Sequence, residues 1–261
     1  MRVLAFSLVA LLGVAAPIFA QAGAPQMTKQ EADYLNAVLM GWEKSMTELR
    51  SFITEVERET LDKSVQSKDQ FKGYALFLKA NVKDSQSRAR LELANVKKPQ
   101  VFEKYIVTGT YLYEYVPANK VVRVHDMPQP NGKGQQQESF LSFLFGMGAK
   151  QAVDRYDMKP VFSKTPDPNY HYISVRPKLA QDKNDFAEAR LSLYKSNYLP
   201  AQIWYLQPNG NQITWNFTKL KLDKDIPLEW FRPDMPSKEW RVERVQPKAA
   251  PTVQPTVRKT P

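Results

Sequence analysis

The two histidines are the first candidates for chemistry in this 261-residue chain, which contains no cysteine. His125 precedes Asp126, an arrangement that could supply a metal ligand or a general base, whereas His171 lies among tyrosines in a strand-like segment. Transition-metal sites in proteins draw several ligands from cysteine, histidine and carboxylate side chains. Because no second histidine lies close in sequence and no thiolate exists, we expect no metal site.

The acidic residues form no recognisable catalytic motif. Residues 182–185 begin like a calcium-binding loop, but Ala187 stands where that loop needs glycine and Leu193 where it needs glutamate. The sequence has no serine-nucleophile elbow and no phosphate-binding glycine loop. Glu188 and Asp234 cannot be paired as glycosidase carboxylates from sequence alone, so that class stays open. We expect no catalytic residue, no cofactor and no enzymatic activity.

The N-terminus has the pattern of a signal peptide over residues 1–22. A short positive start precedes the apolar residues 3–19, and small residues then mark a cleavage site after Ala22, with Ala20 as the alternative. The apolar run reaches the lower limit of a membrane span, but Gly13 and Pro17 interrupt it. With no cysteine for acylation, we expect a soluble monomer in the periplasm or otherwise exported.

The charge balance is basic, with 37 Lys and Arg against 27 Asp and Glu, a net charge of +10. Such a balance attracts anionic partners, including an envelope membrane, but it also describes an ordinary solvated surface. Lysines beside tyrosines, as at Lys104 and Tyr105, could contact nucleic acid. An exported protein rarely meets nucleic acid, so we expect no nucleic-acid partner.

An amphipathic helix opens the predicted domain, residues 27–245. Thr28 and Glu31 have capping-box spacing. Apolar residues then recur every three or four positions: Leu35, Val38, Leu39, Trp42, Met46 and Leu49. The spacing predicts one apolar stripe, which must pack on a sheet or on a ligand.

From residue 50 the apolar period changes to two, in successive runs with short polar links. These runs predict an α+β fold with a curled antiparallel sheet of about ten or eleven strands and helices covering its concave face. Asn209 and Gly210 predict a hairpin that forms the closing edge of this sheet, and a parity shift near Thr218 predicts a β-bulge. The composition of residues 246–261 predicts a disordered, proline-rich basic tail.

A second helix is predicted around residues 139–153. Its first half is too apolar for one helix face, so we expect it to be buried or to lie against a hydrophobic ligand. The residues concerned are Phe140, Leu141, Phe143, Leu144 and Met147.

A resemblance to a known family is carried by residues 105–117, 175–178 and 231–236, together with Leu199, Pro200, Gly210 and Phe217. Their order resembles that of the periplasmic outer-membrane lipoprotein carrier and receptor, the LolA/LolB-like superfamily, and of a divergent secreted branch in planctomycetes. The resemblance implies a half-open β-barrel with helices in its mouth and acyl chains held in the concavity. Where the family has a lid-locking arginine this chain has Ala80, and the resemblance transfers the lid contact to Lys79.

The resemblance implies a lipid- or lipoprotein-binding protein, and a carrier role in envelope lipoprotein transport. Its cargo would be an acylated lipoprotein or a lipid. The alternative is a non-enzymatic structural or interaction module with a filled core. The residues assigned to acyl-chain binding are Leu35, Val38, Leu39, Trp42, Met46, Phe140, Leu141, Phe143, Leu144, Met147 and Trp215.

Phe143→Asp tests the apolar segment within this hypothesis. A carboxylate in a hydrophobic groove is costly to bury, so we expect the variant to lose binding of a fluorescent acyl probe. Titration of the probe into the folded variant measures this. Unaltered probe affinity would place Phe143 outside the groove.

Overall fold

The computed structural model describes residues 27–81, 86–127 and 148–245. The predicted signal peptide, the first half of the second helix and the tail lie outside these residues. The helices are α1 (Lys29–Glu48) and α2 (Ala149–Arg155). The strands are β1 (Ser51–Asp62), β2 (Ser67–Leu78), β3 (Arg88–Asn95), β4 (Phe102–Val107), β5 (Tyr111–Val116), β6 (Val121–Asp126), β7 (Tyr156–Pro160), β8 (Tyr170–Pro177), β9 (Glu188–Tyr194), β10 (Pro200–Leu206), β11 (Gln212–Leu222) and β12 (Arg241–Val245).

The twelve strands of the described residues form one sheet, in the order β12-β6-β5-β4-β3-β2-β1-β11-β10-β9-β8-β7. Two antiparallel meanders, β1 to β6 and β7 to β11, meet where β1 pairs with β11. The predicted α+β fold with an antiparallel sheet is therefore confirmed. The sequence pattern did not indicate β7 or β12, and β12 pairs parallel to β6.

The hairpin and the bulge predicted in the C-terminal third are both present. Gly210 has a φ of +86°, and its N–H donates to the Gln207 carbonyl at 2.9 Å. Glu55 pairs with Thr218 but Ile53 pairs with Lys221, which leaves one extra residue in β11. The expectation that this hairpin closes the sheet is wrong. The hairpin lies inside the sheet because β11 pairs with the long strand β1. The described edges of the sheet are β7 and β12.

Helix α1 covers the inner face of the sheet. The predicted capping box is present: the Thr28 hydroxyl accepts from the Glu31 N–H at 3.2 Å, and the Glu31 carboxylate accepts from the Thr28 N–H at 2.7 Å. The stripe of α1 is buried in one core with Val56 and Leu93 of the first meander and Ile173 of the second. Since both meanders contact the same core, the sheet curls around α1.

The outer face of the first meander is covered by residues 223–240, here called the C-terminal strap. Phe231 of the strap is buried against Leu76 of β2. Further along, the Trp240 ring packs 6.1 Å from the Tyr115 ring. Burial raises the pKa of Tyr115 to about 12, so its hydroxyl remains protonated and donates to the Asp234 carbonyl at 2.7 Å. The strap hides apolar side chains that the outer face would otherwise expose.

A buried ion pair joins α2 to the loop before β9. The Asp182 carboxylate accepts from the Arg155 guanidinium at 2.7 and 2.6 Å, and both side chains are buried. Asp182, which begins the calcium-loop-like segment, is therefore engaged in a structural pair. Removing one partner of such a pair typically costs about 3–5 kcal/mol, because the other charge is left buried alone.

Gly73→Ala tests the close approach of β2 and β3. A Cβ added at Gly73 would lie 1.8 Å from the Glu92 carbonyl oxygen, so the strands must separate locally. Overpacking of this kind costs about 1–3 kcal/mol in the free energy of unfolding, measurable by urea denaturation. Lys72→Ala, at the exposed neighbouring position, is the control and should change it by less than about 1 kcal/mol. Equal losses in both variants would contradict this account.

Candidate functional site

The C-terminal end of α1 leaves a small apolar cavity against the inner face of the sheet. Its volume is about 60 Å³. Side chains from the end of α1 and from four strands surround it, and all except one threonine are apolar. They are Met46, Leu49, Phe52, Thr54, Ala75, Leu199, Pro200, Phe217 and Leu220. The cavity belongs to the inner face of the sheet, where α1 ends.

An apolar track continues from this cavity across the first meander. It consists of five half-buried residues that are direct partners on adjacent strands β1 to β5: Phe52, Phe77, Ala89, Val107 and Leu112. Paired residues of adjacent strands lie on one face of a sheet, so all five belong to the inner face. The Phe52 and Phe77 rings stack with centroids 5.6 Å apart. Together the five residues form a partly accessible hydrophobic surface.

Charged side chains border this track on the inner face. The Arg58 guanidinium donates to both oxygens of Glu103 at 2.6 and 2.7 Å and lies 4.4 Å from the Phe71 ring centroid. Towards β6, the His125 Nε2 lies 3.0 Å from a Glu114 oxygen, and Arg123 lies 3.8 Å from the same carboxylate. The inner face thus divides into an apolar part and a part of paired charges.

The N-terminal half of α1 is attached through an aromatic cluster. The Tyr34 hydroxyl lies 2.7 Å from Nδ1 of His171, whose ring stacks on Tyr198 at 5.2 Å. Gly41 makes room for Tyr198, because an added Cβ would lie 2.7 Å from that ring. Burial, and secondarily the charge of Lys195, lower the pKa of His171. His171 therefore has a structural position under α1.

The structure places the sequence-predicted site residues in three environments. Most of the helix stripe and one tryptophan of β11 are buried in the core: Leu35, Val38, Leu39, Trp42 and Trp215. Met46 lines the cavity. The five residues of the apolar segment lie outside the described residues: Phe140, Leu141, Phe143, Leu144 and Met147.

Lys79, the residue proposed for the lid contact, forms a hydrogen bond to α1. Its ammonium donates a hydrogen bond to the carbonyl of Thr47, in the last turn of α1. A cation at this end of a helix also interacts favourably with the helix dipole. Whether the contact acts as a lid lock stays a prediction.

Sequence reasoning did not single out the apolar track. All five of its residues lie in or next to predicted strands. Period-two alternation shows only that the two faces of one strand differ in polarity. Which apolar residues align across five strands depends on the register, which becomes visible only in the sheet.

The described residues provide neither a metal site nor a membrane-spanning helix. In residues 27–81, 86–127 and 148–245, no cluster of three or more His, Asp or Glu side chains is arranged to hold a metal ion. No helix in this part of the chain is long and apolar enough to cross a membrane.

No protein-family model and no curated protein matches the sequence. Among solved structures, the chain is similar to an uncharacterized conserved protein from Thermus thermophilus, with 12% identity over 81% of this chain and 99% of that chain, and a TM-score of 0.49. A putative outer membrane lipoprotein-sorting protein domain from Vibrio parahaemolyticus has 11% identity over 77% of this chain and 97% of that one, with a TM-score of 0.38.

A third similar structure is the MucA/MucB complex of Pseudomonas aeruginosa, with 12% identity, a TM-score of 0.45 and coverage of 77% of this chain. The chain spans 61% of the length of the matched chain in that complex. The fold assignment itself rests on the strand order and packing described above.

The lowered pKa of His171 predicts a pH dependence of stability. The unfolded chain takes up a proton near the usual pKa of 6.5, whereas the folded state resists protonation. The stabilising contribution is therefore present above pH 6.5 and is lost as the pH falls below it. We expect His171→Phe to flatten the decline of unfolding free energy between about pH 6.5 and pH 5. An unchanged slope in urea denaturation would refute this role.

Proposed function

We propose that the protein binds acyl chains of a lipid or an acylated lipoprotein between α1 and the inner face of its sheet. The observation that supports this most is the apolar track, which continues from the cavity at the end of α1. Contiguous apolar surface that remains accessible on a folded protein commonly marks a binding site. In this proposal the protein is an exported binding protein and not an enzyme, and it acts as a carrier in the envelope.

The cavity is too small to hold a long acyl chain without a movement of α1. A volume of about 60 Å³ is far below the roughly 300–1,000 Å³ of typical ligand pockets. A long acyl chain would therefore need the last turns of α1 to move outward. Half-buried Met46, the buried side chain of Leu49 and the hydrogen bond from Lys79 to Thr47 hold this end, whereas Trp42 is fully buried further back. The helix would open at its C-terminal end and stay fixed at its aromatic cluster.

A second candidate is an interaction module with a filled core. It is favoured by the burial of Leu35, Val38, Leu39 and Trp42, which occupy much of the inner face with the protein's own side chains. In that case the cavity at the end of α1 is a packing defect, and partners bind elsewhere on the surface. The two candidates differ in whether an acyl chain enters the inner face.

The test combines native mass spectrometry of the purified protein with titration of a fluorescent acyl probe. Ala75→Phe places a large ring in the cavity and should lower probe affinity at least tenfold, because the ring occupies the space of the acyl chain. The matched control is Ala94→Phe, which makes the same change on the outer face of the adjacent strand β3. Both variants are compared by circular dichroism and thermal unfolding.

Co-purified lipid, saturable probe binding and a selective loss in Ala75→Phe would support acyl-chain binding. Absence of lipid together with absence of probe uptake would favour the filled-core module. Equal losses in both folded variants would place the probe outside the inner face.

A further inference from the structure

The outward side of the C-terminal strap exposes large apolar side chains. Leu228 is 54% exposed, Trp230 45% and Met235 47%. Between and beside them, Ile226 and Phe231 are buried against the outer face of β2. Leu228, Trp230 and Phe231 belong to one 3-10 helix of four residues, Leu228–Phe231, so this helix both anchors the strap through Phe231 and presents Leu228 and Trp230 to the outside.

The exposed residues are held in place by hydrogen bonds and ion pairs. The Trp230 carbonyl accepts from the Arg90 guanidinium at 2.6 Å. The Asp234 carboxylate accepts from the Lys104 ammonium at 2.6 Å, and the Asp234 N–H donates to the Tyr115 hydroxyl at 3.0 Å. These bonds hold the backbone at Trp230 and at Asp234, which precedes Met235. The two exposed side chains therefore belong to an ordered part of the surface.

The charges around this surface are unequally paired. Within the described chain, Asp223, Asp234 and Glu239 form ion pairs with Arg50, Lys104 and Lys120. The charged side chains of the strap without an ion pair in that part of the chain are three basic ones, Lys224, Arg232 and Lys238, and two acidic ones, Asp225 and Glu229. Lys221 of β11, whose partner Ile53 packs against the strap, is a further basic side chain without an ion pair there. The unpaired charge is thus positive, as is the net charge of the whole chain, +10.

We propose that the strap is a docking surface for an anionic phospholipid membrane. Tryptophan and leucine enter the interfacial region of a bilayer favourably, and neighbouring lysines and arginines are attracted to anionic headgroups. Trp230 and Leu228 would enter the headgroup region, while Lys224, Arg232 and Lys238 would contact lipid phosphates. The surface lies on the outer face of the sheet, opposite the apolar track, so its function is separable from acyl-chain binding.

Vesicle flotation tests the proposal. The purified protein is mixed with vesicles of phosphatidylcholine containing about 30% phosphatidylglycerol, or of phosphatidylcholine alone, at low salt. We expect flotation with the anionic vesicles, a reduction by raised salt, and at least a tenfold weaker apparent affinity for the variant carrying Leu228→Ser and Trp230→Ser together. The control is Val65→Ser, which removes an apolar side chain that is 69% exposed in the turn between β1 and β2.

Selective loss in the double variant, with normal thermal unfolding and normal binding by Val65→Ser, would support the docking surface. A lysine variant combining Lys224→Gln and Lys238→Gln keeps the proposal falsifiable if the double variant does not fold, because it should weaken anionic binding several-fold. Equal binding to neutral and anionic vesicles, or unaltered binding by the variants, would overturn the proposal. Self-association in sedimentation without vesicle binding would also overturn it, since the occupant would then be a second copy of the chain.

Discussion

The pairing of β1 with β11 is the interaction on which the rest of the structure depends. It joins residues near position 55 to residues near position 217 and makes one sheet from two meanders. The extra residue of β11 between Thr218 and Lys221 interrupts the regular register of this pairing, and Lys219 adopts a φ of +50° there. β-Bulges of this kind bend the strand that carries them. The curl of the joined sheet brings both meanders into contact with α1.

Both faces of the sheet then have to be covered. On the inner face α1 buries its stripe mainly over the second meander and ends at the cavity, which leaves the apolar track of the first meander half-buried. On the outer face the C-terminal strap covers the first meander with Ile226, Phe231 and Trp240. The two proposed functions depend on the surfaces that remain accessible. Acyl-chain binding uses the apolar track of the inner face, and membrane docking uses the outward side of the strap.

Local signals made α1, the hairpin and the bulge predictable. Each of these features depends on a few residues that are neighbours in sequence: the capping box, the turn at Asn209 and Gly210, and the shift of parity in β11. The strap was missed because it anchors through isolated apolar residues without helical or strand period, and β12 is too short and polar to show alternation. The junction of the two meanders was missed because β11 pairs with β1 through contacts between residues more than 150 positions apart. For the same reason the hairpin was expected at an edge, and the alignment of Phe52, Phe77 and Leu112 was not foreseen.

The central claim is that an acyl chain lies on the inner face, between the end of α1 and the apolar track. Paramagnetic relaxation by a nitroxide-labelled fatty acid, read from the NMR signals of the protein, locates that chain most directly. The account predicts selective broadening at Met46, Ala75, Val107 and Leu112, and signals at Leu228 and Met235, on the outward side of the strap, that stay sharp. Broadening confined to the outer face, or none at all at saturating fatty acid, would contradict it.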